Sequence, residues 1–272
     1  MLYVITVLGD RMNPVVKEVL KKINDYGYEA YLVGGAPRDF YMGFVTTDYD
    51  ICTNAPLDKL KEWFVVIKTN YASSIILFNE TKLEVTQFRK EFDYINHRFP
   101  NHIEFVSDLK TDLLRRDFIM NTLCINHDGE YIDLLGARDD IDKKIIRSVG
   151  NPMIKLEEDA LRILRAIRFA TILQFSIEKE LDLAICELKH LVKNLSYFRK
   201  RQELNRIISS KYRMDGFSLL KKYQLLEELE LEKVDQVTKD MSLLEVWHII
   251  DPKRKYEYTK EERKILQKLD EA

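Results

Sequence analysis

The stretch LVGGAPRDFYMGFVTTDYDI, residues 32–51, decides how the rest of the chain reads. It begins inside a short apolar run, residues 30–33, with the character of a strand. Gly34-Gly35 ends that run, and Ala36-Pro37-Arg38-Asp39 follows. Paired glycines let a backbone come close to phosphate oxygens, and Arg38 can complement the negative charge spread over a triphosphate. The stretch closes on Asp48-Tyr49-Asp50-Ile51, within a second strand-like run at 48–53. Strand residues two apart project to one face. Two carboxylates so placed repel each other unless a cation lies between them, and Mg2+, with its preference for hard oxygen donors, is the natural occupant. Such a pair can activate an attacking hydroxyl and neutralise a triphosphate during in-line displacement. An isolated Asp-x-Asp is usually an exposed polar strand face, and a lone Gly-Gly is usually a turn. Gly-Gly, then Arg-Asp, then Asp-x-Asp in this order is far more specific.

Working outward, residues 14–25 carry helical periodicity and end near Gly27, which can cap the helix. Strand-like runs follow at 65–69, 74–78 and 82–88, with a turn at 79–81. Runs at 122–126 and 130–134 flank His127-Asp128-Gly129, and Asp-Gly is a strong hairpin signal. Past Pro152 the texture changes: residues 156–232 hold long helical periods and a single glycine, Gly216. Residues 1–150 thus read as α/β, with a boundary near 150 and an all-α region after it.

Composition narrows the class. With 272 residues, 46% apolar and 32% charged, the chain reads as a soluble globular protein of one large domain or two to three small ones. A net charge of −2 argues against nonspecific coating of RNA but leaves room for a local basic stripe. Cys52, Cys124 and Cys186 form no CxxC pair, so neither a zinc site nor a disulfide framework is expected, and a reducing cytoplasm fits best. The apolar run at 2–8 is too short to span a bilayer, and no other segment reaches that length.

Residues 32–51 resemble the signature of the class II tRNA CCA-adding enzymes and bacterial poly(A) polymerases, within the polymerase-β-like nucleotidyltransferases. The resemblance implies that Asp48 and Asp50 bind metal and that Gly34, Gly35 and Arg38 meet the nucleotide. A third family carboxylate lies in a segment similar to Leu83-Glu84-Val85-Thr86-Gln87-Phe88-Arg89, which makes Glu84 the third catalytic candidate. Residues 91–100, EFDYINHRFP, resemble a mobile loop that in this family helps bring ATP into the site. Asp112-Leu113-Leu114-Arg115-Arg116-Asp117-Phe118-Ile119-Met120-Asn121 resembles the RRDF-x-x-N motif. Arg115, Arg116 and Asn121 would then supply donors for phosphate and ribose, although an Arg-Arg-Asp run is more often a solvated helix face.

Residues 158–170, EDALRILRAIRFA, read as the clearest helix in the chain. Ala160, Ile163, Leu164, Ile167, Ala170 and Thr171 form its apolar stripe, with Asp159 and Arg162 as i, i+3 neighbours elsewhere and Arg165 and Arg168 away from the stripe. As a surface ion pair Asp159–Arg162 would contribute well under ~1 kcal/mol. The resemblance gives this segment another role: its EDxxR motif reads the Watson–Crick edge of incoming C or A, so that side chains replace a template. Arg165 and Arg168 join it as nucleotide-binding candidates. Between 199 and 213 positive charge gathers, and Arg199, Arg201 and Arg206 are candidates for an RNA backbone track. A solvated helix is an equal reading of that segment. The family carries a glutamate before Arg199 that this chain lacks.

The resemblance implies an α+β organisation, with a mixed-sheet head at 1–150, a helical neck at 151–213 and a helical body at 214–272. It also implies CTP and ATP as substrates, the tRNA 3′ end as partner and Mg2+ as cofactor. A poly(A) polymerase or an A-adding enzyme shares the motifs, and a catalytically silent RNA-binding protein is the alternative of another class. The similarity fades beyond about residue 230, so a family tail that grips distal tRNA is expected to be reduced. His97, His102, His127, His190 and His248 fall into no His-Asp metal pattern, and no attached phosphohydrolase domain is expected.

Overall fold

The computed structural model describes residues 12–271; the apolar run at 2–8 lies outside them. The chain divides into two compact units, one holding residues up to 93 with 101–149, the other 94–100 with 150–272. The α+β expectation holds.

In the first unit, α1 (Pro14–Asp25) begins where Asn13 accepts a hydrogen bond from the Val15 amide, with Pro14 at its first turn. Val16, Val19, Leu20 and Ile23 are buried, which is one helical face. That face packs against a seven-stranded mixed sheet of order β3-β4-β5-β2-β1-β8-β9. The strands are β1 (Ala30–Val33), β2 (Asp50–Thr53), β3 (Val65–Thr69), β4 (Ser73–Phe78), β5 (Thr81–Gln87), β8 (Cys124–Ile125) and β9 (Tyr131–Ile132). Between β1 and β2 runs the short helix α2 (Gly35–Tyr41), and α3 (Leu57–Trp63) follows β2.

Register fixes which residues share a face. β1 and β2 are antiparallel with Leu32 opposite Ile51 and Val33 opposite Asp50. β2 and β5 are parallel with Asp50 beside Glu84 and Ile51 beside Val85. Leu32, Ile51 and Val85 therefore point into the core with α1. Val33, Asp50 and Glu84 share the opposite face. There Val33, Cys52, Phe88 and Cys124 pack against Leu109 and Leu113 of α4 (Leu109–Leu114).

Residues 91–100 differ from the expected loop. Residues 91–95 and 99–100 belong to β6 (Arg89–Ile95) and β7 (Phe99–Phe105), which pair as a separate two-stranded hairpin with residues 96–98 as its turn. Neither strand has a buried face, so no apolar alternation marks them.

In the second unit, residues 158–170 are not one helix. α5 (Ala137–Asp142) ends the first unit's helices; α6 (Pro152–Glu158) then stops at Asp159, whose φ of −141° and ψ of 98° are extended, and α7 (Leu161–Leu173) starts afresh. Asp159 is the cause: its Oδ1 accepts from the Leu161 amide at 3.0 Å, an acidic cap at the start of α7. Burial of α7 extends beyond the expected stripe to Leu161, Arg162, Ala166, Arg168 and Phe169. The unit continues through α8 (Lys179–Leu188), α9 (Tyr197–Ile208), α10 (Arg213–Lys222), α11 (Leu225–Glu228), α12 (Leu243–Ile250) and α13 (Lys260–Asp270). Among the described residues no helix is long and apolar enough to cross a membrane.

Candidate nucleotidyltransferase site

Asp50 is half-buried and Glu84 exposed on adjacent parallel strands. Asp48 is also exposed but lies before the strand, which begins at Asp50, so strand alternation does not set its direction. Its amide instead donates to Thr46 Oγ1 at 3.2 Å. Gly34 sits beside this group with φ at +83°, a conformation that favours glycine. A Cβ there would stand 3.3 Å from Asp50 Oδ2. Glycine thus leaves open the space next to the carboxylate. Among the described residues no three His, Cys, Asp or Glu side chains converge into a cage of their own. An oxygen pair with open space suits a hard divalent ion such as Mg2+, which keeps several waters and takes phosphate oxygens as further ligands.

Arg38, almost fully buried on α2, donates through Nε and Nη2 to Asp39 Oδ1 at 2.9 and 2.7 Å. Its Nη1 donates to Asn121 Oδ1 at 2.5 Å. Asn121 Nδ2 in turn donates to Asp117 Oδ1 at 3.1 Å, and that oxygen also accepts the Phe118 amide. The Gly-Gly-x-x-Arg-Asp and Arg-Arg-Asp-Phe-x-x-Asn segments are therefore one hydrogen-bonded network, though 83 residues separate Arg38 from Asn121.

Arg115 and Arg116 follow α4 and are not a solvated helix face. Both hold the buried Asp112: Arg115 Nε donates to Oδ1 at 2.8 Å and Arg116 Nη2 to Oδ2 at 2.9 Å. Burial raises the Asp112 carboxyl, but the two guanidinium groups outweigh it and hold the group below its ordinary range. Burial also lowers Arg115, whereas Asp112 keeps Arg116 raised. Nearby, Cys52 and Cys124 pack on the same sheet face, the Cys124 thiol donating to the Thr122 carbonyl at 3.5 Å, and burial pushes Cys52 well up. Both are free thiols, as is exposed Cys186. The meeting of Cys52 and Cys124 from distant parts of the chain has no sequence signal.

In the second unit, Asp159 and Arg162 do not form the i, i+3 pair expected of them. Arg162 is buried and donates through Nη1 to the Lys155 carbonyl at 2.7 Å and Glu158 Oε2 at 3.1 Å. The cation on Asp159 is Arg98, whose Nη1 donates to Oδ2 at 2.5 Å. The segment holding Arg98 is anchored beside it: His97 Nδ1 lies 2.7 Å from the Glu157 carbonyl, and the Ala160 amide donates to the His97 carbonyl at 2.9 Å. Burial raises the Asp159 carboxyl, with Arg98 and Arg162 opposing.

Arg165 stacks over Phe169 at 5.5 Å. Arg168 is not on an open side; it is buried, 4.0 Å from the Phe169 ring centroid and 2.5 Å from Glu203 Oε2. Burial lowers Arg168 to about 10, with Glu203 opposing. Of the candidate RNA residues, Arg206 is exposed and Arg199 half-exposed with its Nη1 on Gln202. Arg201 is committed elsewhere: it pairs with both Glu262 oxygens and lies 4.5 Å from the Tyr258 ring centroid.

A mixed sheet thus presents Asp50 and Glu84 on one face with the Gly34 turn beside Asp50, and a helical unit follows it in the chain. Residues 30–147 match the poly A polymerase head domain, and residues 174–233 match the probable RNA and SrmB-binding site of polymerase A. The chain belongs to the family of poly(A) polymerases and CCA-adding enzymes. It is 38% identical over 214 residues to the CCA-adding enzyme of Bacillus subtilis, covering 78% of this chain and 54% of that one. Its fold is similar to the Bacillus stearothermophilus CCA-adding enzyme in complex with CTP, with TM-score 0.74, 29% identity, and 80% and 55% of the two chains covered. It is also similar to a tRNA nucleotidyltransferase complexed with a primer tRNA and an incoming ATP analog, with TM-score 0.66, 26% identity, and 81% and 64% covered. The chain spans a little over half the length of the curated relatives it matches.

Proposed function

We propose that this chain is a tRNA nucleotidyltransferase that adds C and A from CTP and ATP to the tRNA 3′ end, completing CCA. The observation that carries the reading is the Asp50–Glu84 register pair beside Gly34. Asp48 and Asp50 would hold Mg2+, with Glu84 on the neighbouring strand as the third catalytic carboxylate, and the ion when bound would supply charge neutralisation of the triphosphate and acidify the attacking hydroxyl. Gly34 and Gly35 let the phosphates approach the backbone. Arg38, Arg115, Arg116 and Asn121 orient and neutralise them. In the helical unit Asp159, an acceptor, and Arg162, a donor, read the base edge, with Arg165 and Arg168 beside them. Arg199 and Arg206 support the RNA backbone. The free thiols suit a reducing compartment, and we place the protein in the cytoplasm.

The test is incubation with tRNA lacking CCA, or ending in C or CC, with CTP, ATP or both, read as product length on a sequencing gel. Stepwise extension to CCA and no further supports the reading. Extension by A alone points to an A-adding enzyme, a long A ladder to a poly(A) polymerase, and no extension to a silent RNA-binding protein.

A further inference from the structure

We propose that Asp112 is the positioning residue for the two arginines that meet the nucleotide phosphates, and that Glu91 at the root of the hairpin shares one of them. The inference rests on the nucleotidyltransferase reading and assigns its phosphate grip a support. Asp112 is 0% exposed, so its carboxylate cannot touch a substrate. Its oxygens hold protein donors: Arg115 Nε and the Arg89 amide on Oδ1, Arg116 Nη2 on Oδ2. Glu91 accepts from Arg89 Nε at 2.7 Å and from Arg115 Nη1 at 3.4 Å. Arg115 is thus held from two directions, by the helix end and by the strand.

Charge gives the arrangement its purpose. The guanidinium groups of Arg89, Arg115 and Arg116 converge on the carboxylates of Asp112 and Glu91 in a largely buried cluster. Arg116 also keeps its Nε buried without a hydrogen-bond partner. Guanidinium groups so desolvated favour an anion with planar or tetrahedral oxygens. Without Asp112 they repel one another and lose the geometry that a phosphate needs. Leu113, next in the chain, is fully buried on the sheet face that carries Asp50, so the carboxylate has a rigid mount.

The readout that separates positioning from mere structure is pyrophosphate, which carries no base. In Asp112→Asn, KM for CTP and for ATP should rise together by tenfold or more, and inhibition by pyrophosphate should weaken by a similar factor. KM for the tRNA should stay within twofold. Glu91→Gln should show the same pattern at a smaller size, about threefold, and it decides the matter should Asp112→Asn fail to fold. Nucleotide KM values and pyrophosphate inhibition within twofold of wild type in folded variants would overturn the proposal. Failure of the wild-type chain to extend any tRNA would count against the nucleotidyltransferase reading instead. Calorimetric titration of pyrophosphate and CTP into wild type and variants then still decides the positioning role.

Discussion

Arg98 reaches the Asp159 carboxylate at 2.5 Å from a segment 61 residues earlier in the chain, and it occupies the oxygen opposite the one that caps α7. Asp159 thus has one oxygen fixed by the backbone and one held by a cation. Reading a base edge requires the second oxygen to be shared or released. Arg98 is therefore an electrostatic lever on the ionisation of Asp159.

The pH consequence has a definite sign. Burial raises the Asp159 carboxyl, and Arg98 opposes that rise. Removing the cation lets the carboxyl rise further, so the ionised acceptor is lost at a higher pH. Arg98→Ala should move the acid limb of the nucleotide-incorporation profile upward, while Arg98→Lys should move it less. An acid limb unchanged from wild type in both variants would mean that Arg98 does not control Asp159.

Base selection should fail when the pair of polar groups at the α6–α7 junction is removed. Asp159→Ala or Arg162→Ala should erode discrimination between nucleotides by about 1–3 kcal/mol, the range of a good paired base contact. Misincorporation of UTP and GTP on tRNA ending in C measures it. Fidelity equal to wild type in both folded variants excludes their role as a protein template.

How the sequence betrayed some features and hid others follows from where the information lies. The strand-like runs at 30–33 and 65–69 coincide with β1 and β3, because β1 is an apolar run that is mostly buried and β3, though largely exposed, opens on a β-branched run. The hairpin at 89–105 has exposed and half-buried residues on both faces, so it carried no apolar alternation. The break at Asp159 lay within a continuous apolar period. Its only local signal was an acidic residue ahead of Ala160-Leu161, a cap pattern that competes poorly with the strong stripe of α7. Asp50 and Glu84 were legible as candidates, but their register came from pairing β2 with β5, across two intervening strands in the chain. Arg168 and Arg201 looked solvated because their partners, Glu203 and Glu262, lie 35 and 61 residues away.

Acid stability reports Asp112 directly. Its carboxyl stands below the ordinary Asp range, near 3.9 for an unfolded chain. A depressed group contributes stability that is complete above its unfolded pKa and lost as pH falls through its folded pKa. The stability difference between wild type and Asp112→Asn should therefore be constant from about pH 5.5 upward, where the unfolded-state carboxyl at about 3.9 is already ionised. It should shrink only in the acid region below. Chemical-denaturation midpoints across pH 3–7 measure it, and a difference that vanishes already at pH 6 contradicts the assignment.

The metal-site reading makes the simplest demand. Asp50→Ala or Asp48→Ala should abolish nucleotide addition with little loss of fold stability, since neither carboxylate belongs to the packed core. Glu84 is exposed as well, and Glu84→Gln should act in the same direction. Incorporation near wild-type level in any of these variants removes that residue from the site.

The three arginines first grouped as an RNA track should separate into two kinds. Arg201 is sandwiched against Tyr258 and Trp247, and both Glu262 oxygens hold it, so it ties α13 to α9. Arg201→Ala should cost about 1.5–3 kcal/mol of stability, the range for hydrogen bonds to charged groups, with no change in the salt dependence of RNA binding. Arg206 is exposed and Arg199 half-exposed, on the same helix α9. Removing one cation from a phosphate flattens the plot of log affinity against log salt by about 0.9 on duplex DNA, the nearest reference. Arg199→Ala with Arg206→Ala should therefore lower the slope for tRNA by roughly one to two units and raise the tRNA KM at moderate salt, with kcat little changed. Filter-binding across a salt series, paired with denaturant unfolding, distinguishes the two kinds of arginine. An unchanged slope in the double variant would return Arg199 and Arg206 to the solvated helix face, and a flattened slope in Arg201→Ala would return Arg201 to the RNA.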